Sequence, residues 1–285
     1  MRVTLKLLLS IMMLILAGCW LATLAQTEDP LLAWGRKTGS LKVALASALP
    51  YIIISQNGDA TGASVDLQNA VLKEMGLPAL EPVLTGWDSM IPGLQAHQFD
   101  YIGAGMNITE ARCKVALFSA PYYAARTGLY VRPGNPRHLT SVAEVVRRPD
   151  IKLAAIATSG QQVYALKQGI NPAQITIVPD IQAGAATVIG GRADAFIVGQ
   201  FSIPNPEEKG LEVIVDEQSP VDGSGAAFRK EDVRLRDAFD DKLNVLIRNG
   251  TIQMLYEKYG LANGDLEARL LTKFTKASDI VPSCK

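Results

Sequence analysis

The stretch YIGAGMNITEARCKVALFSAPYY, residues 101–123, joins an apolar run to a polar turn and a single arginine. Residues 101–106 have the apolar character of a buried strand. Asn107 follows the end of that strand, and Arg112 lies in the segment TEARCK, which opens a helix. A guanidinium meets a carboxylate through paired hydrogen bonds, and free N–H groups at a helix start favour anions. The stretch therefore predicts a strand end that binds an anion.

Strand-like and helix-like runs alternate on both sides of this stretch. The strand-like runs cover residues 41–46, 101–106, 152–157, 175–179 and 194–199. Amphipathic runs separate them, and such β-α-β series indicate parallel sheets with helical crossovers. Two series in 285 residues predict two α/β lobes. Helices predicted over 233–250 and 251–260 end at glycines and need a sheet to cover, so we expect the chain to finish on the first lobe.

The N-terminal segment, residues 1–25, is predicted to be an export signal. A short basic region, MRVTLK, precedes the apolar run LLLSIMMLILAG. Two outcomes stay open: acylation of Cys19 in LAGC, or cleavage after Ala25 in TLAQ. An uncleaved membrane anchor fits less well, because the Gly-Cys pair interrupts the apolar run early. The sequence thus predicts an exported, periplasmic protein, lipid-anchored in the first case.

Composition excludes several classes of function. Lysine and arginine together number 28, as do aspartate and glutamate, so no charge excess points to a nucleic-acid partner. Two histidines cannot build a histidine-rich metal centre. The chain shows no phosphate-binding loop and no serine-histidine-aspartate set, so we expect neither a cofactor nor a metal.

Several motifs resemble one known family. Residues 86–123, GWDSMIPGLQAHQFDYIGAGMNITEARCKVALFSAPYY, resemble the signature of family-3 periplasmic solute-binding proteins, the receptors of polar amino-acid ABC importers. The similarity extends from about Gly39 to Gly260. ITEARC, GNP at 134–136, GRADAF at 191–196 and AAFRKEDVRLRDAF at 226–239 are similar to the ectoine- and hydroxyectoine-binding branch.

The resemblance implies a two-lobed periplasmic-binding-protein clamp with two crossover strands at the hinge. Each lobe is then a mostly parallel sheet flanked by helices. Lobe I is expected over residues 38–128 and 226–285, and lobe II over 129–225, with the hinge near 127–131 and 224–228. The implied function is the receptor of an ABC importer. Its expected partners are a small solute and an inner-membrane permease, and we expect a monomer.

On the first lobe, the resemblance assigns Arg112 to the carboxylate of the ligand. A cation is unfavourable at the start of a helix, which argues against a merely exposed arginine there. Gly105 allows close backbone approach, and Asn107 can donate and accept hydrogen bonds. Tyr51 and Trp87 follow strand ends and are expected to wall the ligand. The alternative to ligand contact is a turn position for Asn107 and packing in the core for Tyr51 and Trp87.

On the second lobe, Thr158, Ser159, Gly160 and Gln161 open a helix and are expected to face the anionic end of the ligand. Simple N-capping by Ser159 is the alternative.

Two expected acidic residues are absent. Amino-acid receptors of the family carry an aspartate where this chain has Gly199, beside Gln200, and the ectoine branch carries an acidic residue where this chain has Ala48. Gly199 and Gln200 are expected to border the ligand. Without an anionic partner, a buried cation is costly. We therefore expect a carboxylate-bearing solute with a modest apolar or ring portion: an ectoine-like zwitterion, an amino-acid derivative or a cyclic carboxylate.

An enzyme on the same fold is the alternative function. Cyclohexadienyl dehydratases are exported relatives that need a carboxylic acid or a lysine in the cleft as general acid or base. The site positions identified from the sequence carry neither, and Asp88 beside Trp87 is the nearest candidate. The sequence therefore favours a receptor without catalytic residues.

One disulfide is expected. The chain has three cysteines, of which Cys19 is either lipidated or removed with the signal. Two thiols in an oxidising compartment suggest a bridge, and two separate thiols are the alternative. A cysteine near the C-terminus also fits the ectoine branch. The resemblance thus favours a Cys113–Cys284 bridge between the C-terminal tail and the first lobe.

Overall fold

The computed structural model describes residues 30–157, 159–261 and 263–285. The predicted export signal over residues 1–25, with Cys19, lies outside the described residues, as does Thr158. None of the helices in these ranges has both the length and the apolar character needed to cross a bilayer.

The strands alternate with helices along most of the chain. In chain order they are β1 (Leu41–Leu45), β2 (Ile53–Ile54), β3 (Ala60–Thr61), β4 (Leu80–Leu84), β5 (Tyr101–Asn107), β6 (Leu117–Phe118), β7 (Tyr123–Ala125), β8 (Thr127–Val131), β9 (Leu153–Ile156), β10 (Ile175–Val178), β11 (Ala195–Gly199), β12 (Glu212–Val215) and β13 (Asp222–Phe228). The predicted strands agree with these bounds to within one residue at each end.

The helices occupy the intervals between strands and most of the C-terminal region. They are α1 (Pro30–Thr38), α2 (Ala63–Glu74), α3 (Trp87–Gln95), α4 (Glu110–Cys113), α5 (Val142–Val146), α6 (Gly160–Gln168), α7 (Ile181–Ile189), α8 (Val233–Arg248), α9 (Thr251–Lys258) and α10 (Gly264–Leu271). Gly250 separates α8 from α9 with a φ of 87°, a conformation that glycine adopts without strain.

Two sheets confirm the predicted two-lobed α/β architecture. The first has the order β4-β1-β5-β13-β6, with β7 also paired to β13, and the second has the order β10-β9-β11-β8-β12. Of the described strands in each sheet, one runs against the others: β13 in the first and β8 in the second. The remaining strands of each sheet share one direction, as β-α-β connections require. Strands β2 and β3 form a separate hairpin.

Helices cover the faces of both sheets. In β1, Val43 and Leu45 pack into a core shared with α2, α8 and α9, whereas Ala44 packs on the opposite face with Met90 of α3. This division follows from the alternation of side chains along a strand. The C-terminal helices α8 and α9 therefore finish on the first lobe, as expected.

The chain passes between the sheets twice. The first passage, at Arg126, joins β7 to β8, and the second, over residues 216–221, joins β12 to β13. The passages are hydrogen-bonded to each other, because Arg126 Nη1 donates to the Ser219 carbonyl at 2.5 Å. The second passage is also bonded to the start of β8, where the Thr127 N–H donates to Ser219 Oγ at 2.9 Å. The division into residues 38–128 with 226–285 and 129–225 stays a prediction. We propose hinge points at Arg126 and 216–221, a few residues before the predicted ones.

Cys113 and Cys284 form a disulfide, with their Cα atoms 5.2 Å apart. Both residues are buried, and Ile280 and Val281 of the tail pack against the same core as Cys113. The predicted bridge is thus confirmed, and it attaches the C-terminal tail to α4, the short helix that carries Arg112.

Candidate functional site

A cavity of about 550 Å³ lies between the two sheets. Its wall is formed by Ser47, Ala48, Leu49, Tyr51, Ile52, Ser64, Trp87, Ala104, Gly105, Asn107, Tyr122, Tyr123, Ile156, Pro179, Asp180, Ile181, Gln182, Ser202 and Ser224. Many of these residues lie at or just after the carboxyl ends of parallel strands, which are β1, β4 and β5 in the first sheet and β9, β10 and β11 in the second. Ligands of open α/β sheets bind in such crevices.

Tyr51 and Trp87, which were expected to wall the ligand, both line the cavity, and their contact with a ligand stays a prediction. Trp87 begins α3 and is 45% exposed, so a large part of its indole is free to meet a solute. The ring of Tyr51 stands edge-on to Tyr123 at 5.2 Å and to Tyr256 at 6.0 Å between centroids. The Tyr51 hydroxyl donates to Glu267 Oε2 at 2.9 Å. The orientation of Tyr51 is thus fixed by its neighbours behind the wall.

Tyr122 and Tyr123 complete the aromatic wall, and sequence reasoning did not name them as site residues. The pair follows Pro121 and stands just before the first passage between the lobes. That position beside the passage was the signal that could have identified these tyrosines as site residues. The Tyr122 hydroxyl donates to the Gly103 carbonyl at 3.0 Å. Burial raises the pKa of Tyr123 far above its usual value, so its hydroxyl remains a neutral donor.

Gly105 and Asn107 also line the cavity, at the end of β5. Gly105 has a φ of 73°, and a Cβ there would lie 3.7 Å from the Tyr122 ring. Asn107 Oδ1 accepts a hydrogen bond from Ser224 Oγ at 2.8 Å. The amide group of Asn107 therefore has a fixed orientation and leaves its N–H donors for other partners.

Arg112 lies directly behind Asn107 rather than in the cavity wall itself. Its Nη1 donates to the Asn107 carbonyl at 2.9 Å, and its half-buried position lowers the pKa of the guanidinium through loss of hydration. Thr109 caps α4 by accepting from the Arg112 N–H at 3.4 Å. The strand end, the cap and the arginine are thus assembled as the sequence indicated, and the contact of Arg112 with a ligand stays a prediction.

The start of α6 carries the predicted second-lobe residues. Ser159 caps the helix, since its Oγ accepts from the Gln162 N–H at 3.1 Å. Gln161 Nε2 donates to Asp222 Oδ2 at 2.7 Å, and a Cβ on Gly160 would lie 3.1 Å from the same oxygen. None of Ser159, Gly160 and Gln161 lines the cavity in this structure. The carboxyl group of Asp222 therefore lies beside this helix start and is bound there by the Gln161 side chain.

Asp222 was missed by sequence reasoning, although it is the acidic first residue of the second crossing strand, DGSGAAF. Burial raises the pKa of its carboxyl group to about 6, and the hydrogen bond from Gln161 opposes that rise. Because β13 belongs to the first sheet and α6 to the second lobe, the contact between Asp222 and Gln161 joins the lobes beside the cavity.

Gly199 ends β11, and the space beside it is filled. A Cβ there would lie 2.9 Å from the Tyr123 hydroxyl and 3.1 Å from Ser202 Oγ. Gln200 is turned toward the first passage, because its Oε1 accepts from the Arg126 N–H at 3.3 Å. Neither residue lines the cavity. The two hydroxyl groups of Tyr123 and Ser202 thus occupy the volume that an acidic side chain at position 199 would need.

We expect Gly199→Ala to destabilise the protein by about 1–3 kcal/mol, the usual cost of overpacking a closed site. Urea unfolding measures the difference. Gly86→Ala is the comparison, because nothing lies within 4 Å of a Cβ at Gly86, and its only expected cost is about 1 kcal/mol from the less favourable N-cap of α3. Equal stability of the Gly199→Ala variant and the parent would show that the contact with Tyr123 and Ser202 is not close-packed.

One acidic side chain, Asp180, stands in the described cavity wall and was not named from the sequence. It caps α7, because its Oδ1 accepts from the Ala183 N–H at 2.8 Å. Ala48, the position where an acidic residue was expected, also lines the wall. The described wall contains no lysine. Apart from Asp180, its polar side chains carry hydroxyl or amide groups or, in Trp87, an indole N–H.

Comparison with known proteins agrees with this geometry. Residues 41–262 match the family model for bacterial extracellular solute-binding proteins, family 3. A probable amino-acid ABC transporter periplasmic-binding protein of Sinorhizobium fredii is 32% identical over 234 residues, 78% of this chain and 77% of the relative. The arginine-binding periplasmic protein of Mannheimia haemolytica is 27% identical over 74% of this chain and 86% of the relative.

Solved structures of solute-binding proteins also resemble this chain. The complex of EhuB with hydroxyectoine superposes with a TM-score of 0.70 at 29% identity, covering 89% of this chain and 97% of that one. The ancestral cationic amino-acid solute-binding protein AncCDT-1 superposes with a TM-score of 0.68 at 31% identity, covering 81% and 99%. These matches cover most of the chain, and its two sheets enclose a cleft. The chain therefore belongs to family 3 of the bacterial extracellular solute-binding proteins, the receptors of amino-acid ABC importers.

Proposed function

We propose that this protein is an exported, monomeric receptor that captures a small carboxylate-bearing solute between its lobes and delivers it to an ABC permease. The observation that carries the proposal is the composition of the cavity wall. Aromatic residues form one side of the cavity wall. The end of β5, with Arg112 behind it, supplies hydrogen-bond donors. The volume beside Gly199 is filled, so an acidic side chain would not fit there.

The carboxylate is assigned to Arg112 and Asn107. The guanidinium is half-buried and is held by the Asn107 carbonyl, so it has lost part of its hydration while keeping further N–H donors. A carboxylate restores the lost interactions through charge-assisted hydrogen bonds, which are the strong ones. Asn107 and Gly105 bring amide and backbone groups to the same end of the cavity.

The carbon skeleton of the solute is assigned to Tyr51 and Trp87, together with Tyr122 and Tyr123. A ring or a compact aliphatic portion buries apolar surface against these faces. A delocalised or quaternary cation on such a solute would gain about 0.5–2 kcal/mol from an aromatic face. Ectoine-like zwitterions, amino-acid derivatives and cyclic carboxylates combine these features.

A primary ammonium group is disfavoured in this proposal. It needs an anionic partner to offset its desolvation. Tyr123 and Ser202 occupy the volume beside Gly199, and Ala48 supplies no charge. Asp180 is the one acidic side chain in the described wall, and because its Oδ1 caps α7, an ammonium group could pair there only with the remaining oxygen. Common α-amino acids should therefore bind poorly.

A thermal-shift panel tests the ligand class. The panel contains the common amino acids, ectoine, hydroxyectoine, betaines and simple cyclic and aromatic carboxylates. We expect shifts from zwitterions without a primary ammonium group or from cyclic carboxylates, followed by a dissociation constant from calorimetry. Sub-micromolar binding of glutamate, arginine or another common amino acid would overturn the assignment of Gly199 and Ala48.

We also expect the lobes to rotate on binding about the passages at Arg126 and 216–221. Closure would bring the α6 start, including Ser159, Gly160 and Gln161, toward the solute. Small-angle scattering should show a smaller radius of gyration with the saturating solute from the panel. The Arg112→Ala variant with the same solute serves as control and should keep the larger radius. An unchanged profile of the parent protein at saturation would contradict the hinge.

The enzyme alternative is not favoured. The related ancestral structure AncCDT-1 is described as an amino-acid-binding protein and a precursor of cyclohexadienyl dehydratase. General acid–base chemistry needs a carboxylic acid or lysine placed to transfer a proton, whereas Asp180 is an accepting helix cap. We expect no turnover in a steady-state assay with prephenate or arogenate.

A further inference from the structure

Glu267 lies in α10, beyond residue 262, where the match to the family model ends. Its side chain is 1% exposed, and it stands behind the aromatic wall of the cavity. Three wall or near-wall tyrosines surround it, namely Tyr51, Tyr123 and Tyr256. This carboxyl group therefore lies outside the residues that match the family model.

The carboxyl group of Glu267 is the centre of a hydrogen-bond network. Oε2 accepts from the Tyr51 hydroxyl at 2.9 Å, and Oε1 lies 3.1 Å from the Tyr256 hydroxyl. The Tyr256 hydroxyl is also 2.9 Å from the Tyr122 carbonyl. A backbone hydrogen bond from Ala124 reaches the same carboxyl group. Glu267 thus connects the segments that carry Tyr51, Tyr122 and Tyr123.

The number of hydrogens available around the Tyr256 hydroxyl indicates the protonation state of Glu267. The Tyr256 hydroxyl has one hydrogen and faces two acceptors, the Tyr122 carbonyl and Glu267 Oε1. If Tyr256 donates to Tyr122, the contact with Oε1 is a hydrogen bond only when Glu267 carries the proton. A neutral Glu267 satisfies every contact, whereas an ionised one turns the Tyr256 hydrogen away from Tyr122. In addition, no lysine or arginine forms an ion pair with Glu267 in the part of the chain that the structure describes.

We propose that Glu267, as a neutral carboxylic acid, is a positioning residue for the aromatic wall. It accepts from Tyr51 and leaves the Tyr256 hydrogen on the Tyr122 carbonyl, so that loss of its proton draws Tyr256 away from Tyr122 and lowers solute affinity. The inference rests on the proposed function in taking Tyr51 and Tyr122 as ligand contacts. Arg112 and Asn107 act on the solute directly, whereas Glu267 acts through Tyr51 and, by way of Tyr256, through Tyr122.

The electrostatics agree with the hydrogen-bond geometry. Burial raises the pKa of Glu267 to about 8, while hydrogen bonds from Tyr51, Tyr256 and the Ala124 backbone lower it in part. The titratable groups facing it are Tyr51 after β1, Tyr123 in β7 and Tyr256 in α9, and burial keeps all three protonated in this range. The folded state therefore binds a proton that the unfolded chain releases, and the stability contributed by Glu267 falls as pH rises from about 4.5 to about 8.

The first test needs no solute. Carboxyl-¹³C glutamate and ring-¹³C tyrosine labelling follow Glu267 and Tyr51 by NMR from pH 5 to pH 10, with assignments from Glu267→Gln and Tyr51→Phe. We expect Glu267 to titrate near pH 8 and the Tyr51 resonance to shift with the same midpoint. A titration midpoint of Glu267 below pH 6 would overturn the proposal, as would a Tyr51 chemical shift that does not change as Glu267 titrates.

The second test measures affinity for hydroxyectoine by calorimetry at pH 7 and pH 9. With a pKa of about 8, the protonated fraction falls about tenfold over this interval, so affinity should fall by up to about tenfold. Glu267→Gln mimics the protonated acid and should bind equally at both pH values. Glu267→Ala should bind weakly at both. Glu257→Gln, an exposed change on α9, is the matched control and should behave as the parent.

The outcomes separate the two proposals. If hydroxyectoine and the rest of the panel do not bind at any pH, the assigned ligand class is wrong, and the NMR titration alone decides the role of Glu267. If the parent binds and Glu267→Gln keeps the full pH dependence, the proposed function stands and the positioning role is refuted.

Discussion

Replacing Arg112 with alanine is expected to weaken solute binding by more than a hundredfold. Losing a bidentate charged contact in a closed cleft costs on the order of 3 kcal/mol, and 1.4 kcal/mol corresponds to a factor of ten. The effect on folding should be small, because the guanidinium makes one hydrogen bond to the Asn107 carbonyl, worth about 1 kcal/mol. Calorimetry with the strongest binder of the panel measures the loss.

Two further variants make the test specific. Arg112→Lys keeps the charge but not the planar fork, so it should recover only part of the affinity. Arg248→Ala removes an exposed arginine from the last turn of α8 and should bind as the parent does. Unchanged affinity in a folded Arg112→Ala variant would remove Arg112 from the site and leave Asn107 and the hydroxyl groups as the polar contacts.

Opening the Cys113–Cys284 disulfide is expected to lower the free energy of unfolding by up to about 5 kcal/mol. The bridge closes a loop with a sequence separation of 171, and the chain-entropy model gives about 5 kcal/mol for a loop of that size. Measured values are commonly smaller, about 2–4 kcal/mol. Because Cys113 neighbours Arg112 in α4, opening the bridge should also weaken solute binding.

The measurement is urea unfolding of the parent with and without a reductant, beside the double variant Cys113→Ser with Cys284→Ser. The reductant should destabilise the parent and leave the double variant unchanged. Intact-mass analysis of the unreduced protein should show two hydrogens fewer than the thiol form. Two alkylatable thiols, or a reductant that leaves parent stability unaltered, would contradict the structural role of the bridge.

Local elements of this protein follow closely from its residues. The apolar runs at 41–46 and 101–106 became β1 and β5, and the pattern of Leu235, Phe239 and Leu243 became the buried face of α8. These features are readable because a strand or helix repeats its inward positions at a fixed interval. The segment TEARCK marked the start of α4 for a different local reason, namely that Thr109 is a residue suited to the N-cap.

Contacts between distant segments were only partly readable. Asn107 and Trp87 were found because each stands at or after a strand end. Asp180 carries the same signal, since it follows β10, and was overlooked, whereas Tyr122 and Tyr123 gained their place from packing between lobes. The start of α6 was read as an anion site, and the structure adds that Asp222, 61 residues away from Gln161, is its anionic neighbour. No periodic pattern records a pairing over such a distance.

The sequence by itself determined the class of this protein: two α/β lobes, a strand end carrying Arg112, and a glycine at position 199 in place of an acid. Only the tertiary structure decided what surrounds those residues. It set the hydroxyls of Tyr123 and Ser202 against Gly199, and it buried Glu267 behind Tyr51, 216 residues away in the chain. The physical reason is that backbone pattern depends on near neighbours, whereas burial and charge at a site depend on every segment that packs against it.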